Sequence, residues 1–373
     1  MANHNFSKKG DPHIGRTIRD DFHNLKIKDD FRGEYKDLKE YFLTDERKEK
    51  LKTMSGLKKF FVLPWWLLKS LYFKLTPFRR LLLIMGIVLL IIGGKTGYDS
   101  DNSSYTLDVT ALLSGLIFLF IIALELKDKL HAKTELEEGR AIQIALMPDS
   151  QPKVSGWDIW LYTKPANDVG GDLLDIINLD NNKFGVSIGD VAGKGLSAAL
   201  LMVKLQATVR ALAPNFQSLS ELGKKINEIF YRDSLPQLFA SLIYIELESG
   251  KSNLKIFNAG HPPPFLIKEN SITKLEKGSP ALGILANPEF NETSFEFSPN
   301  DLLIAYSDGV TEARNEIGHF FGEDVLKKEL SNINNMGSKQ IGEQLIRAVN
   351  NFVSKAKVHD DLTIAILKRT NLN

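Results

Sequence analysis

Two stretches of this chain carry no charged side chain: LLLIMGIVLLIIGG from Leu81 to Gly94 and VTALLSGLIFLFIIAL from Val109 to Leu124. In a 373-residue chain that is 25% charged, such runs must be hidden from water, in lipid or in a deep core. The charges around them choose between the two. The connecting segment KTGYDSDNSSYTLD holds three Asp and one Lys. Lys69, Lys74, Arg79 and Arg80 crowd before the first run, and Lys127, Lys129 and Lys133 follow the second. Lysine and arginine gathered at one side of a hydrophobic hairpin put that side in the cytoplasm. We therefore expect a multi-pass anchor in the inner (cytoplasmic) membrane over residues 77–126, with a downstream catalytic domain in the cytoplasm. Each run is shorter than the ~20 residues of a spanning helix. Snorkelling of Lys95 and anchoring by Tyr98 lengthen the first to about 80–98. Leu107 and Leu126 lengthen the second to about 107–126.

Residues 1–76 read as a cytoplasmic segment. A charge-dense leader precedes GEYKDLKEYFLTDERKEKLK, in which Tyr35, Leu38, Tyr41, Phe42 and Leu51 have the spacing of one amphipathic helix. Leu51 to Arg80 then carries seven Lys or Arg and no acid, interleaved with Phe60, Phe61, Trp65, Trp66, Tyr72 and Phe73. That mixture suits the headgroup level of an anionic leaflet, so membrane lipid is an expected partner. Nucleic acid is not: net charge is +1, and no basic stretch marks a groove in the downstream domain. The absence of cysteine removes disulfides, thiolate nucleophiles and cysteine-ligated metal sites together.

Over residues 127–150, Leu130, Leu136, Ile142 and Leu146 continue an imperfect helical stripe from Leu126, which Pro148 ends. Two readings fit that spacing: a plain linker, or a short coiled coil that pairs two copies and passes rotation onward. Residues 151–370 mix strands and helices. WDIWLY, LLDIINL, KFGVSIGD, FASLIYIEL, NLKIFNAG, SFEFS, DLLIAYSDG and DLTIAIL read as strands. GLSAALLMVKLQATVRALA, SLSELGKKINEIFYRD and KQIGEQLIRAVNNFVSKA read as helices. Strands linked by hairpins and followed by paired helices point to an α+β fold with antiparallel sheets.

Four acidic signatures lie far apart in this domain: NDVGGD ending at Asp172, SIGDVAGKG around Asp190, AYSDGVTEA around Asp308 and HDDLTIAIL around Asp360. KFGVSIGD and DLLIAYSDG each deliver an Asp at the end of a buried strand, beside a residue that turns the chain away. In HDDLTIAIL the acids come first and the strand follows. Four ionised carboxylates gathered together repel by about 1 to 4 kcal/mol per pair. Two divalent cations cancel that charge, and oxygen-only ligands favour Mg²⁺ or Mn²⁺ over zinc.

The segments NDVGGDLLD, GDVAGKGLSAALLM, NAGHPPPFL, GSPALGI, YSDGVTEARN and DDLTIAIL together resemble the motif series of the bacterial PPM-type serine/threonine phosphatases. The similarity is to the SpoIIE/RsbU branch, related to protein phosphatase 2C. It runs from about Glu135 to Lys368, with motifs in family order, and AIQIALMPDSQP is similar to the family's regulatory lead-in helix. The resemblance implies an α-β-β-α sandwich with two Mn²⁺ or Mg²⁺ ions between two antiparallel sheets. It marks Asp172, Asp190, Asp308 and Asp360 as metal carboxylates, and Val191 as a ligand through its backbone carbonyl. It further implies that a metal-activated water, organised through Asp190 and Asp308, hydrolyses phosphoserine or phosphothreonine on a phosphorylated protein, by analogy an anti-sigma-factor antagonist. A catalytically weak metal-binding module that acts by partner binding is the alternative.

The chain departs from the family pattern at three places. Leu173 and Leu174 stand where relatives carry an aromatic pair. The phosphate arginine of the eukaryotic relatives has no counterpart, with Lys164 the nearest cation in sequence. Asp361 stands where Asn is common, as a supporting group or as a ligand itself. His261, between a strand end and three prolines, reads as a loop-fixing residue or as a general acid.

Overall fold

A computed structural model of the chain describes residues 35, 38–39, 41–93, 95–100, 103–180, 182–233, 238–269, 271–333 and 336–371, with backbone alone for 95–100 and 103–107. The expected leader over 1–34 lies outside the described residues. The chain divides into two units, residues 1–129 and 130–373.

In the first unit, helices span Asp45–Thr53, Gly56–Lys74 and Pro77–Ile92. Each starts after an extended Thr44, Ser55 or Thr76, the residue types that favour a helix N-cap. The single amphipathic helix expected through Tyr35 to Leu51 is therefore broken at Leu43 and Thr44, where an extended Thr44 precedes a new helix whose first turn carries Asp45 and Glu46. The connection between the apolar runs also departs from expectation. It forms an antiparallel hairpin of β1 (Lys95–Ser100) and β2 (Ser103–Asp108), paired from Lys95↔Asp108 to Ser100↔Ser103. Lys95 and Tyr98 thus belong to a strand and do not lengthen the first helix, which ends at Ile92. The second apolar run and the predicted 127–150 linker are one helix, Val109–Leu146, with no break at residue 126. Neither Gly nor Pro interrupts the chain between Glu125 and Gly139, so nothing stops the helix there. Small residues bring the two apolar helices together: Ser114 Oγ donates to the Gly86 carbonyl at 2.8 Å, and Phe118 lies against Gly86. Arg79 closes the opposite end on Glu125 and Asp128, at 2.7 and 2.6 Å.

The second unit is a four-layer α-β-β-α sandwich. One sheet has six strands in the order β10-β9-β12-β13-β4-β3, where β3 is Lys153–Val154, β4 Trp157–Lys164, β9 Phe265–Lys268, β10 Ser271–Lys274, β12 Leu302–Tyr306 and β13 Leu362–Arg369. The other has five in the order β11-β8-β7-β6-β5, where β5 is Asp172–Asn178, β6 Lys183–Val191, β7 Ala240–Glu248, β8 Asn253–Ala259 and β11 Glu292–Glu296. Every strand pairing in both sheets is antiparallel.

The period of two along each strand explains the layers. Ile159, Leu161, Leu174, Ile188, Ile243, Leu303 and Ala365 point between the sheets and form the central core. Their neighbours Trp160, Ile304, Tyr306, Ile364 and Ile366 face the helices Gly322–Leu330 and Ser338–Val353. On the outer face of the five-stranded sheet, Leu173, Leu242 and Tyr244 meet the helices Leu196–Leu212 and Leu219–Asp233. Leu173 and Leu174 thus serve two different cores from adjacent positions. The central strands such as β7, β12 and β13 are apolar on both faces, so simple amphipathic alternation marks only the edge strands. The helix Gly322–Leu330 and the short strands β3, β9 and β10 were not foreseen. Each is too brief to carry a clear period of its own.

Candidate active site

Asp172 opens β5 and Asp190 is the next-to-last residue of β6, and the register places them directly opposite each other. Both share the face of Leu174 and Ile188, so both carboxyls enter the space between the sheets at one end of the sandwich. Like charges in that cross-strand position are unfavourable. The opposite sheet supplies the rest. β12 ends at Tyr306, Ser307 follows, and Asp308 begins a short helix, Asp308–Thr311. Asp360 and Asp361 immediately precede β13.

The two sheets are tied at this point by side chains far apart in sequence. Thr363 Oγ1 donates to Asp172 Oδ2 at 2.5 Å. Ser307 Oγ donates to the Asp361 carbonyl at 3.2 Å and accepts from the Thr363 amide at 3.1 Å. Asp361 is buried, and its carboxylate accepts three backbone N–H groups: Ala166 at 2.7 Å, Gly171 at 2.6 Å and Asp172 at 3.3 Å. It therefore fastens the loop that carries Asp172. The tandem glycines make room for this, since a Cβ on Gly170 would sit 2.6 Å from Asp361 Oδ2. A Cβ on Gly309 would fall 1.9 Å from the Asp361 carbonyl oxygen, so only glycine lets the Asp308 turn approach this chain. Asp360 faces outward, with its side chain 43% exposed and its Oδ2 3.4 Å from Lys194 Nζ.

The electrostatics follow from that crowding. Burial first, and the charge of Asp190 next, hold the Asp172 carboxyl well above the usual carboxylate range. Asp190 is raised to about 7, by burial and then by Asp308, Asp360 and Asp361. Asp308 is raised by burial and then by Asp360 and Glu312, with Lys194 opposing. Among the described residues, no three Asp, Glu or His side chains are arranged to hold one metal ion. Three of the acids here have local partners: Asp172 on Thr363, Asp360 toward Lys194, Asp361 on amides. The donor set is nevertheless hard oxygen with uncompensated negative charge, which fits Mg²⁺ or Mn²⁺ chemistry. The Val191 carbonyl lies at the same spot, 3.2 Å from where a Gly171 Cβ would stand, with Asp190 Oδ1 at 3.7 Å.

His261 is 3% exposed. Its Nδ1 is 2.7 Å from Ser241 Oγ, which accepts the Asp190 amide at 3.3 Å. Burial pushes the imidazole down to about 4, so it is neutral near pH 7. Asn258 fixes its backbone from both sides, at 2.8 and 3.0 Å. This is the loop-fixing role. Lys164 ends β4 and lines a small cleft with Gly309, Glu312 and Asp360.

Gln143 was not singled out from the sequence. Near the end of Val109–Leu146 it is 4% exposed, and its amide donates to the Gly170 carbonyl at 2.7 Å while accepting the Gly170 N–H at 3.1 Å. Its place in AIQIALMP, flanked by Ile142 and Ile144, is the only local signal. In Gln143→Ala the Gly170 amide loses its acceptor, and its hydrogen exchange should accelerate by about tenfold, an opening cheaper by about 1.4 kcal/mol. Unchanged exchange across residues 169–172 would show that the loop holds itself.

The profile of the Stage II sporulation protein E (SpoIIE) family matches residues 180–370, a stretch that contains Asp190, Asp308 and Asp360 but not Asp172. Protein IcfG of Synechocystis sp. is 30% identical over 239 residues, covering 57% of this chain and 38% of that protein. The phosphoserine phosphatase RsbU of Bacillus subtilis is 26% identical over 242 residues, covering 64% of this chain and 70% of RsbU. The chain thus spans little more than a third of IcfG. Among solved structures, the SiaA-PP2C domain of Pseudomonas aeruginosa superposes with a TM-score of 0.55 at 16% identity. That match covers 65% of this chain and 99% of the domain.

Proposed function

Because the chain belongs to the SpoIIE family, whose fold is that of the PP2C-type phosphatases, we propose that it is a membrane-anchored, metal-dependent hydrolase acting on phosphoserine or phosphothreonine of a signalling protein. The observation that carries this reading is the convergence of Asp172, Asp190, Asp308 and Asp360 at one end of the sandwich, where neighbouring carboxylates raise the pKa of the first three. These four, with the Val191 carbonyl, are the groups that would hold two Mn²⁺ or Mg²⁺ ions. Such a pair, when bound, lowers the pKa of a coordinated water and neutralises phosphoryl oxygens.

The chain's own residues prepare that site. Thr363 and Ser307 orient Asp172 and its loop, and Asp361 fixes the backbone that carries it. Ser241 and His261 hold the Asp190 amide, and the buried neutral imidazole is not a proton donor. Lys194, 61% exposed at the rim, attracts the phosphate dianion toward the cluster. RsbU is named a phosphoserine phosphatase; the substrate in this reading is a phosphorylated signalling protein, an anti-sigma-factor antagonist by the motif resemblance.

The anchor in this reading is the apolar pair Pro77–Ile92 and the first half of Val109–Leu146, with both ends cytoplasmic. Val109–Leu146 is long and apolar enough to cross a bilayer, and its apolar window is only 11% buried. Leu196–Asn215 is also long and apolar but packs on the five-stranded sheet. Phe60, Phe61 and Trp65 on Gly56–Lys74 are 72%, 71% and 66% exposed beside Lys58 and Lys69, which supports contact with anionic lipid headgroups. Exposed Leu130 and Ile142 support pairing of two copies along the helix. A catalytically weak module that binds metal and partner is the second reading. It is favoured by the local partners that Asp172 and Asp360 already have.

The full-length chain in detergent, given Mn²⁺ and a phosphoseryl peptide, should release phosphate, and chelation should stop it. Equal release by wild type and Asp308→Asn would overturn the hydrolase reading.

A further inference from the structure

Beside the carboxylate cluster lies a second polar cavity of about 450 Å³, lined by Arg314, Glu316, Lys355, Lys357 and His359. It continues into the small cleft that holds Lys164, Gly309 and Asp360, because Arg314, Lys357 and His359 line both. Among the described residues, Arg314, Lys355 and Lys357 stand in no salt bridge.

The walls are built rather than loose. Residues 314 and 320 pair as an isolated bridge, and the Arg314 guanidinium lies 4.7 Å over the Phe320 ring. A guanidinium stacked this way keeps its N–H edge free for an oxyanion. The Asn315 side chain closes the turn by accepting the Ile317 and His319 amides, at 3.2 and 2.9 Å. Glu316 is the one acid among the lining side chains. Its carboxylate accepts the Lys355 amide at 3.2 Å, which ties the turn to the 354–359 segment. Its charge is taken up first by the Ser354 side chain and then by this amide, while three cations line the same cavity.

We propose that this cavity is an anion subsite that receives the carboxylate of an Asp or Glu flanking the phosphorylated residue of the protein substrate. The inference rests on the phosphatase reading and names the substrate class for it: a phosphoseryl segment with acidic flanks. The physics is one of compensation. A phosphorylated segment moving toward several carboxylates meets repulsion, and cations beside its landing point offset it and set its orientation. A planar Arg and two Lys suit a carboxylate in geometry as well as in charge.

The test uses the full-length chain in detergent micelles and two labelled phosphoserine peptides, alike except that four flanking positions are Glu in one and Gln in the other. Fluorescence anisotropy should show the acidic peptide binding about tenfold more tightly at low salt, the preference shrinking as ionic strength rises. In Lys355→Gln/Lys357→Gln the two dissociation constants should come within about twofold, and in Lys355→Glu/Lys357→Glu the order should invert. Equal binding of both peptides by wild type, or a preference that survives in the Gln pair, overturns the subsite. Phosphate release from the same peptides is read separately. A retained preference without release supports the subsite and sinks the hydrolase reading, whereas release without preference does the reverse.

Discussion

Asp190→Asn should lower phosphoseryl-peptide turnover by about 10³-fold or more, the scale expected when a group that organises transition-state charge is neutralised. The same substitution should make the metal-free chain more stable, which separates a functional carboxylate from a structural one. The sign comes from linkage. The Asp190 carboxyl has a folded-state pKa of about 7 against an ordinary value of 3.8. Between those values the folded chain holds more protons than the unfolded one, so stability falls as pH rises through this window and is lowest above it. At about 1.4 kcal/mol per pKa unit, discounted for partial exposure and for the coupled carboxylates, the loss is about 2 kcal/mol. Urea unfolding of the chelator-treated chain at pH 5 and pH 8 measures it. Wild type should lose stability between the two, and Asp190→Asn should lose less. A variant that is inactive and also destabilised at pH 8 would mean that Asp190 serves the fold.

Asp361→Ala should have the opposite stability signature, a loss of about 3 kcal/mol. Removing this buried carboxylate strands the amides of Ala166, Gly171 and Asp172, each costing about 1–3 kcal/mol when left unsatisfied, less what entering water restores. Relief of repulsion on Asp172 and Asp190 returns about 1 kcal/mol, too little to win. Asp361→Asn retains one acceptor oxygen and should fall between the two. The measurement is a chemical-denaturation series at pH 7. An alanine variant as stable as wild type would remove Asp361 from the role of loop fastener.

These contrasting roles of adjacent acids show where reading the sequence stops. Asp360 and Asp361 are chemically identical and share one motif. Only the packing of β13 against β5 turns Asp361 into the loop and Asp360 toward Lys194. Gln143 was overlooked for a similar reason: its partner lies 27 residues away on a loop, and its type occurs on any helix. The fusion of the second apolar run with the linker was also missed. Composition changes at Glu125, whereas backbone helicity is indifferent to that change.

What the sequence determined by itself was local. Charge-free runs, two-residue alternation, and Asp placed beside Gly at strand ends are set by side-chain size, backbone freedom and burial over a few residues. Those features sufficed for antiparallel sheets with helices and for nominating Asp172, Asp190, Asp308 and Asp360, whereas the four-layer sandwich was implied by the motif resemblance. The tertiary structure alone decided which carboxylates repel, which are fastened to amides, and that Arg314, Lys355 and Lys357 face one cavity. Hydrogen bonds spanning 189 to 195 positions, and fields that fall off with distance through space, have no trace in neighbouring residues.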